Sequence, residues 1–180
     1  VYMYLEEFEE SIPYSEKLLT LNPRKDDFEN LAIFYEKVGR FDEALEVIKK
    51  GALIFPDALH PVLWQARRAW GEHDFETAVE EFAALADSCK SDLIRAMALR
   101  SYGQSSTYLG RLSELWPSSL MARQIYSDND QKSHSLQIFA GTLARLSWWQ
   151  APENEIKSHL AKLLPLLTEE NIGPRNDVIH

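Results

Sequence analysis

Five histidines, one cysteine and several runs of acids are the side chains in this sequence with the capacity for metal binding or catalysis. A zinc-binding helix needs two histidines four residues apart with an acid between them. His60, His73, His134, His159 and His180 offer no such spacing. Cys89 is the single cysteine, so it forms no intramolecular disulfide and builds no cysteine metal site; it reads as a small packed thiol. Asp128-Asn129-Asp130 resembles the opening of a calcium loop, but the glycine and the distal bidentate glutamate that complete one are missing. Ser118-Ser119 lacks the glycines of a nucleophile elbow and reads as a helix cap. Gly110 and Gly141 are isolated rather than part of a phosphate-cradling loop. Glu6-Glu7, Glu9-Glu10 and Glu80-Glu81 read as helix-surface charges. These residues converge on no reaction, metal or cofactor, and the expectation is a non-catalytic protein. The tryptophans point to recognition instead. Of the adjacent Trp148 and Trp149, about 100° apart on a helix, one must face a core and the other is available to a partner.

Charge narrows the partners. Residues 1–90 carry 19 acidic and 10 basic side chains, and residues 91–180 carry nine of each, so the net −9 comes from the first half alone. Nucleic-acid binding draws on clustered lysine and arginine, and none is present. Neither a membrane span nor the basic-then-apolar layout of a secretory signal can be read. With a single cysteine, this leads us to expect a cytoplasmic protein with a protein or peptide partner, no nucleic acid and no membrane insertion.

The elements that must position these side chains follow from an internal period. Phe8-Glu9-Glu10-Ser11-Ile12, Phe41-Asp42-Glu43-Ala44-Leu45 and Phe75-Glu76-Thr77-Ala78-Val79 repeat one pattern: aromatic, acid, acid or polar, small or polar, aliphatic. They begin 33 and 34 residues apart. Tyr2 aligns with Tyr35, Leu5 with Val38 and Pro23 with Pro56 in the same register. Ala32 and Ala44 stand where two helices of one unit cross and backbones must approach. Gly39 has the position of a helix C-cap, and Pro56 stops the second helix.

Phe28, Leu31, Ala32, Tyr35, Gly39, Phe41, Ala44, Ile48, Gly51 and Pro56 occupy the signature positions of a 34-residue helix–turn–helix unit. On them the chain resembles the tetratricopeptide repeat family. The resemblance implies an all-α fold, an α–α superhelix in the form of a right-handed solenoid of antiparallel helix pairs. The copies are a partial unit over 1–23, then 24–57, 58–90 (with His73 replacing the turn glycine) and a degenerate unit over 91–117. Further helices over 118–170 are expected to continue the solenoid, followed by a tail or linker at 171–180. Val1 falls about nine residues into a unit, inside its first helix, so the chain reads as a piece of a longer protein, with self-association through the exposed end a further expectation.

Local signals set the later elements. Ser91 starts a helix, Gly103–Thr107 breaks it, and Leu109–Trp116 forms a short helix ended by Pro117. Ser118 caps a helix through Tyr126, and residues 127–132 form a polar loop. Leu136, Phe139, Leu143, Leu146 and Trp149 share one helical face. Pro152 opens a last helix, and Pro165 kinks it.

In the family the first helix of each unit lines a concave groove that holds protein segments. Carried over, the groove positions are Met3 and Tyr4 in the partial copy, Asp26, Glu29, Ile33, Glu36 and Lys37 in the central copy, and His60, Leu63, Arg67, Trp70 and Gly71 in the third. Members that clamp a chaperone's C-terminal carboxylate need basic residues where Glu29 and Leu63 stand and asparagine where Ile33 stands. Only Arg67 matches, and carboxylate clamping is not expected. The resemblance thus implies a protein–protein interaction or scaffold module. A second implication is the regulatory or substrate-arm region of a larger enzyme such as a bacterial transferase.

Overall fold

The structure, a computed structural model, describes residues 2–56, 60–148 and 152–166. Among these residues every regular element is helical, and the fold is all-α. The helices are α1 (Tyr2–Leu21), α2 (Lys25–Lys37), α3 (Phe41–Ala52), α4 (Pro61–Gly71), α5 (Phe75–Ser88), α6 (Asp92–Tyr108), α7 (Leu112–Asp128), α8 (Lys132–Trp148) and α9 (Glu153–Leu163), with a 3₁₀ turn at Leu164–Leu166. No described helix is long and apolar enough to cross a membrane. The chain divides into two compact units, Val1–Glu81 and Phe82–His180, and the division falls within α5.

In the first unit α2 packs against both α1 and α3, and α3 against α4. Its core joins Ile12 of α1, Phe28, Leu31, Ala32 and Tyr35 of α2, Ala44, Leu45 and Ile48 of α3, and Trp64 of α4. The α2 set recurs every three or four residues, which places it along one helical face. Ala32 and Ala44, assigned to the helix crossing, are both buried, as is Ala78 on α5. At the start of α2, the Arg24 backbone N–H donates to Asp27 Oδ2 at 2.9 Å, and the Arg24 guanidinium reaches the same carboxylate. The guanidinium hydrogen bond, followed by the backbone one, holds the Asp27 carboxyl below its ordinary value.

One turn geometry joins four helix pairs. Gly39, His73, Gly110 and Asp130 have φ of 79°, 65°, 75° and 59°. The following N–H reaches back five residues each time: Arg40 to Tyr35 O at 2.8 Å, Asp74 to Ala69 O at 2.9 Å, Arg111 to Ser106 O at 2.9 Å and Gln131 to Tyr126 O at 2.8 Å. This is the left-handed helix ending that satisfies carbonyls left over by the last turn. Gly39 is the expected C-cap, and His73 adopts the same conformation without being glycine.

The second unit is built on close approach of α6 and α7, with α8 packed on α7 and α9 on α8. Gly103, Ser106, Ser118, Ser119 and Ala122 are buried on these two helices. A Cβ on Gly103 would collide with Ser118 Oγ and lie 3.3 Å from the Leu115 carbonyl. Beside this contact the hydroxyls of Tyr102 and Ser106 donate to Glu114 Oε2 at 2.6 and 2.9 Å. Leu136, Phe139 and Leu143 of α8 form a further apolar cluster against which Trp116 packs, and Leu146 is buried on the same helix.

Several expectations need correction. The partial first copy has no turn where the others turn: α1 runs unbroken through Glu6 and Glu7. Gly103–Thr107 is no break. Gly103, Ser105, Ser106 and Thr107 are buried on the packing surface of α6, which ends at Tyr108, just before the Gly110 turn. Pro117 does not end its helix, and the 117/118 boundary falls inside α7. Pro117 costs α7 one backbone hydrogen bond and crowds the carbonyl four residues earlier, and the bonds on either side carry the helix past it. Ser118 is accordingly no cap; its hydroxyl donates back to the Glu114 and Leu115 carbonyls at 2.7 and 3.1 Å. The loop expected at 127–132 contracts to the three residues Asn129–Gln131. Pro165 sits in the 3₁₀ turn that follows α9 rather than kinking it. Trp148 is 84% exposed, while Trp149 and residues 171–180 lie outside the described residues.

Candidate partner-binding cleft

The groove positions carried over from the repeat resemblance lie on three elements. Met3 and Tyr4 are in the first turn of α1, and their side chains fall outside the described residues. Asp26, Glu29, Ile33, Glu36 and Lys37 are on α2, and Leu63, Arg67 and Trp70 on α4, with His60 as the residue preceding it. The fold brings two of them together directly, as the Arg67 guanidinium pairs with Glu36 across α2 and α4. The same guanidinium lies over the Trp64 ring, 4.3 Å from its centroid. Asp26 and Glu29 are engaged by Lys25, at 3.8 and 3.4 Å. Ile33 packs against the first-unit core. Lys37 is exposed, and Trp70 is 37% exposed.

Leu63 corrects the expectation. It is 4% exposed and is therefore core rather than groove, because a leucine aligned with a basic groove position has apolar surface to bury. Gly71 is likewise taken up in packing: a Cβ there would overlap the Phe41 ring. This row of residues is thus largely satisfied by its own contacts.

An open cleft of the first unit lies elsewhere, along α1 and α3. A cleft of about 470 Å³ has α2 as its floor, where the nearly fully buried Phe28, Leu31 and Tyr35 lie along one helical face. Glu16, Leu19 and Thr20 of α1, with Pro23 beyond it, form one wall. Asp42, Glu43, Glu46, Val47 and Lys50 of α3, with Ile54 beyond it, form the other. Each wall recurs at steps of three and four residues, so each is a single face of its helix. The Thr20 hydroxyl donates to the Lys17 carbonyl at 2.8 Å, which spends its polarity on its own helix.

The interior is apolar and the rim acidic. Four carboxylates and one ammonium, Lys50, line it. Glu16 accepts from the Tyr35 hydroxyl. Burial, and then that carboxylate, push the Tyr35 hydroxyl up to about 12. Glu43 accepts from Arg40 Nε at 2.8 Å and Glu46 from Lys49 Nζ at 2.8 Å, and these hydrogen bonds lower both carboxyls below their ordinary value. Asp42 pairs with Arg68 at 3.1 Å. The cations Arg40, Lys49 and Arg68 stand outside the lining. At neutral pH Glu43 and Glu46 are ionised and Tyr35 is neutral.

Alignment with first-helix groove positions does not reveal this cleft, because its walls come from α1 and α3. One signal was present. On α3 the residues Ala44, Leu45, Ile48 and Gly51 form the buried stripe. Val47 and Ile54 are apolar residues beyond that stripe, and both line the cleft. A scan of the whole chain against protein-family models finds no match, and a search of curated proteins finds no relative.

Proposed function

We propose that this chain is a tetratricopeptide-like interaction module that holds a segment of a partner protein in the cleft between α1 and α3, without catalysis of its own. The observation that carries this reading is the cleft: about 470 Å³, open to solvent, apolar within and charged at its edge. Binding sites typically have this size and this division between apolar lining and a few polar groups. The 34-residue interval between the matching turns at Gly39 and His73 supports the repeat resemblance. A lone cysteine suits a reducing compartment, so the same reading puts the module in the cytoplasm.

The test is selection of peptides from a random library on the whole chain. Each selected peptide is then titrated against Thr20→Trp, which fills the cleft, and against Arg67→Glu/Trp70→Ala, which alters the α2–α4 row. Peptides that lose binding to Thr20→Trp and keep it to the double variant are expected. Loss with the double variant alone would move the site to the α2–α4 row. Binding unaffected by either variant would overturn the reading.

A further inference from the structure

We propose that the occupant of the α1–α3 cleft is a basic amphipathic helix of another protein, apolar on one face and flanked by lysine or arginine. This rests on the reading of the cleft as a binding site and adds the chemistry of what enters it.

Two observations identify the partner. The first is backbone accounting. The floor and both walls are helices whose N–H and C=O groups are spent internally. An extended segment laid between Leu19 and Val47 would bury its own backbone groups against apolar side chains with no main-chain partner, a costly arrangement. A helix arrives with those bonds already made. It presents apolar side chains at the three- and four-residue spacing that the walls themselves follow. The second is charge. Glu16, Asp42, Glu43 and Glu46 edge the cleft with Lys50 as the one cation in the lining, while Arg68, Arg40 and Lys49 pair with Asp42, Glu43 and Glu46 from outside it. The first half of the chain, with 19 acids and 10 bases, extends the same sign beyond the rim. Flanking cations on the incoming helix meet these carboxylates, which steers encounter and sets orientation. An acidic helix of equal apolarity meets like charge at the edge and is rejected.

The experiment is calorimetric titration of the full chain with two synthetic amphipathic helices, one of leucine and lysine, the other of leucine and glutamate. Asp42→Lys/Glu46→Lys reverses two exposed rim charges. Glu76→Lys/Glu80→Lys makes the same change in net charge at exposed α5 positions outside the lining. Thr20→Trp plugs the cleft, and Thr20→Leu replaces it if the tryptophan variant loses its helical circular dichroism. The leucine–lysine helix should bind, weaken about tenfold or more on rim reversal, change less than about threefold with the α5 pair, and lose binding on plugging. The leucine–glutamate helix should not bind.

Equal weakening by the α5 pair would reduce the effect to diffuse attraction and overturn the proposal, as would equal binding of the leucine–glutamate helix. A self-associated chain that Thr20→Trp renders monomeric, measured by light scattering, would make a second copy the occupant and overturn it as well. Failure of the leucine–lysine helix while library peptides remain sensitive to Thr20→Trp would remove the basic partner and leave the cleft reading standing. Failure of both would remove both.

Discussion

At the scale of single residues, backbone conformation sets the sharpest expectations. Gly39 at φ 79° and His73 at φ 65° hold equivalent places in two turns. A side chain at such a φ costs about 1–2 kcal/mol. Gly39→Ala meets open space around its Cβ, so its cost is conformational, and equilibrium urea unfolding should show a loss of about 1 kcal/mol. His73→Gly should move the other way, a gain of up to about 1 kcal/mol less whatever the ring contact with Phe75 contributes. Tyr35 adds a pH effect. Its hydroxyl is pushed up to about 12 in the fold against an ordinary value of 10.0. Above the ordinary value the unfolded chain loses this proton while the native state keeps it, so the native state binds more protons and stability falls as pH rises. The contribution is complete below 10 and is lost between 10 and 12. Tyr35→Phe should flatten that alkaline limb in unfolding curves measured across the window.

At the scale of elements, the α6–α7 pair depends on small residues and one carboxylate. Gly103→Ala drives a methyl into the Ser118 hydroxyl, with the Leu115 carbonyl close behind. A loss of about 1–3 kcal/mol is expected, as for overpacking elsewhere. Gly103→Ala/Ser118→Ala should recover part of it, because the hydroxyl is the nearer obstacle; thermal unfolding of the single and double variants measures this. Hydrogen bonds from Tyr102 and then Ser106 lower the Glu114 carboxyl, outweighing the opposing effect of burial. A carboxylate lowered in the native state contributes stability above its unfolded value, and that stability drains away as pH falls through its folded one. Glu114→Gln should therefore lessen the loss of stability in acid, read by following α-helical circular dichroism against pH. Pro117 lies inside α7 and is exposed, so Pro117→Ala restores a backbone donor at little packing cost. A gain of up to about 3 kcal/mol is expected.

At the scale of the whole molecule, the helices pack chiefly on their sequence neighbours: α2 on α1 and α3, α7 on α6 and α8. Stability in such an array is a sum of local terms and neighbour contacts. Ile48 is fully buried in the first unit, and Ile48→Ala should cost about 2–5 kcal/mol there. Hydrogen exchange should register the loss first in α2 and α3, with α6 and α7 amides holding their protection. Uniform loss across both units would mean the molecule unfolds as one cooperative body.

Helix type and the first-unit core were legible in the residues because burial imposes its period on the sequence. Phe28, Leu31, Ala32 and Tyr35 lie at helical spacing, and that spacing alone identifies the face that must leave water. Gly39 was legible for a related reason: a left-handed helix ending selects glycine. Where selection by residue type is weak, the reading failed. The continuation of α1 past Glu6, the passage of α7 through Pro117 and the left-handed Asp130 are outcomes that residue type does not select and that contacts decide. The site belongs wholly to this second class. Its floor residues were recognisable as core, but a cleft is a volume between helices distant in sequence. Only the placement of Leu19 and Thr20 opposite Val47 and Lys50 determines that space is left there and that carboxylates edge it.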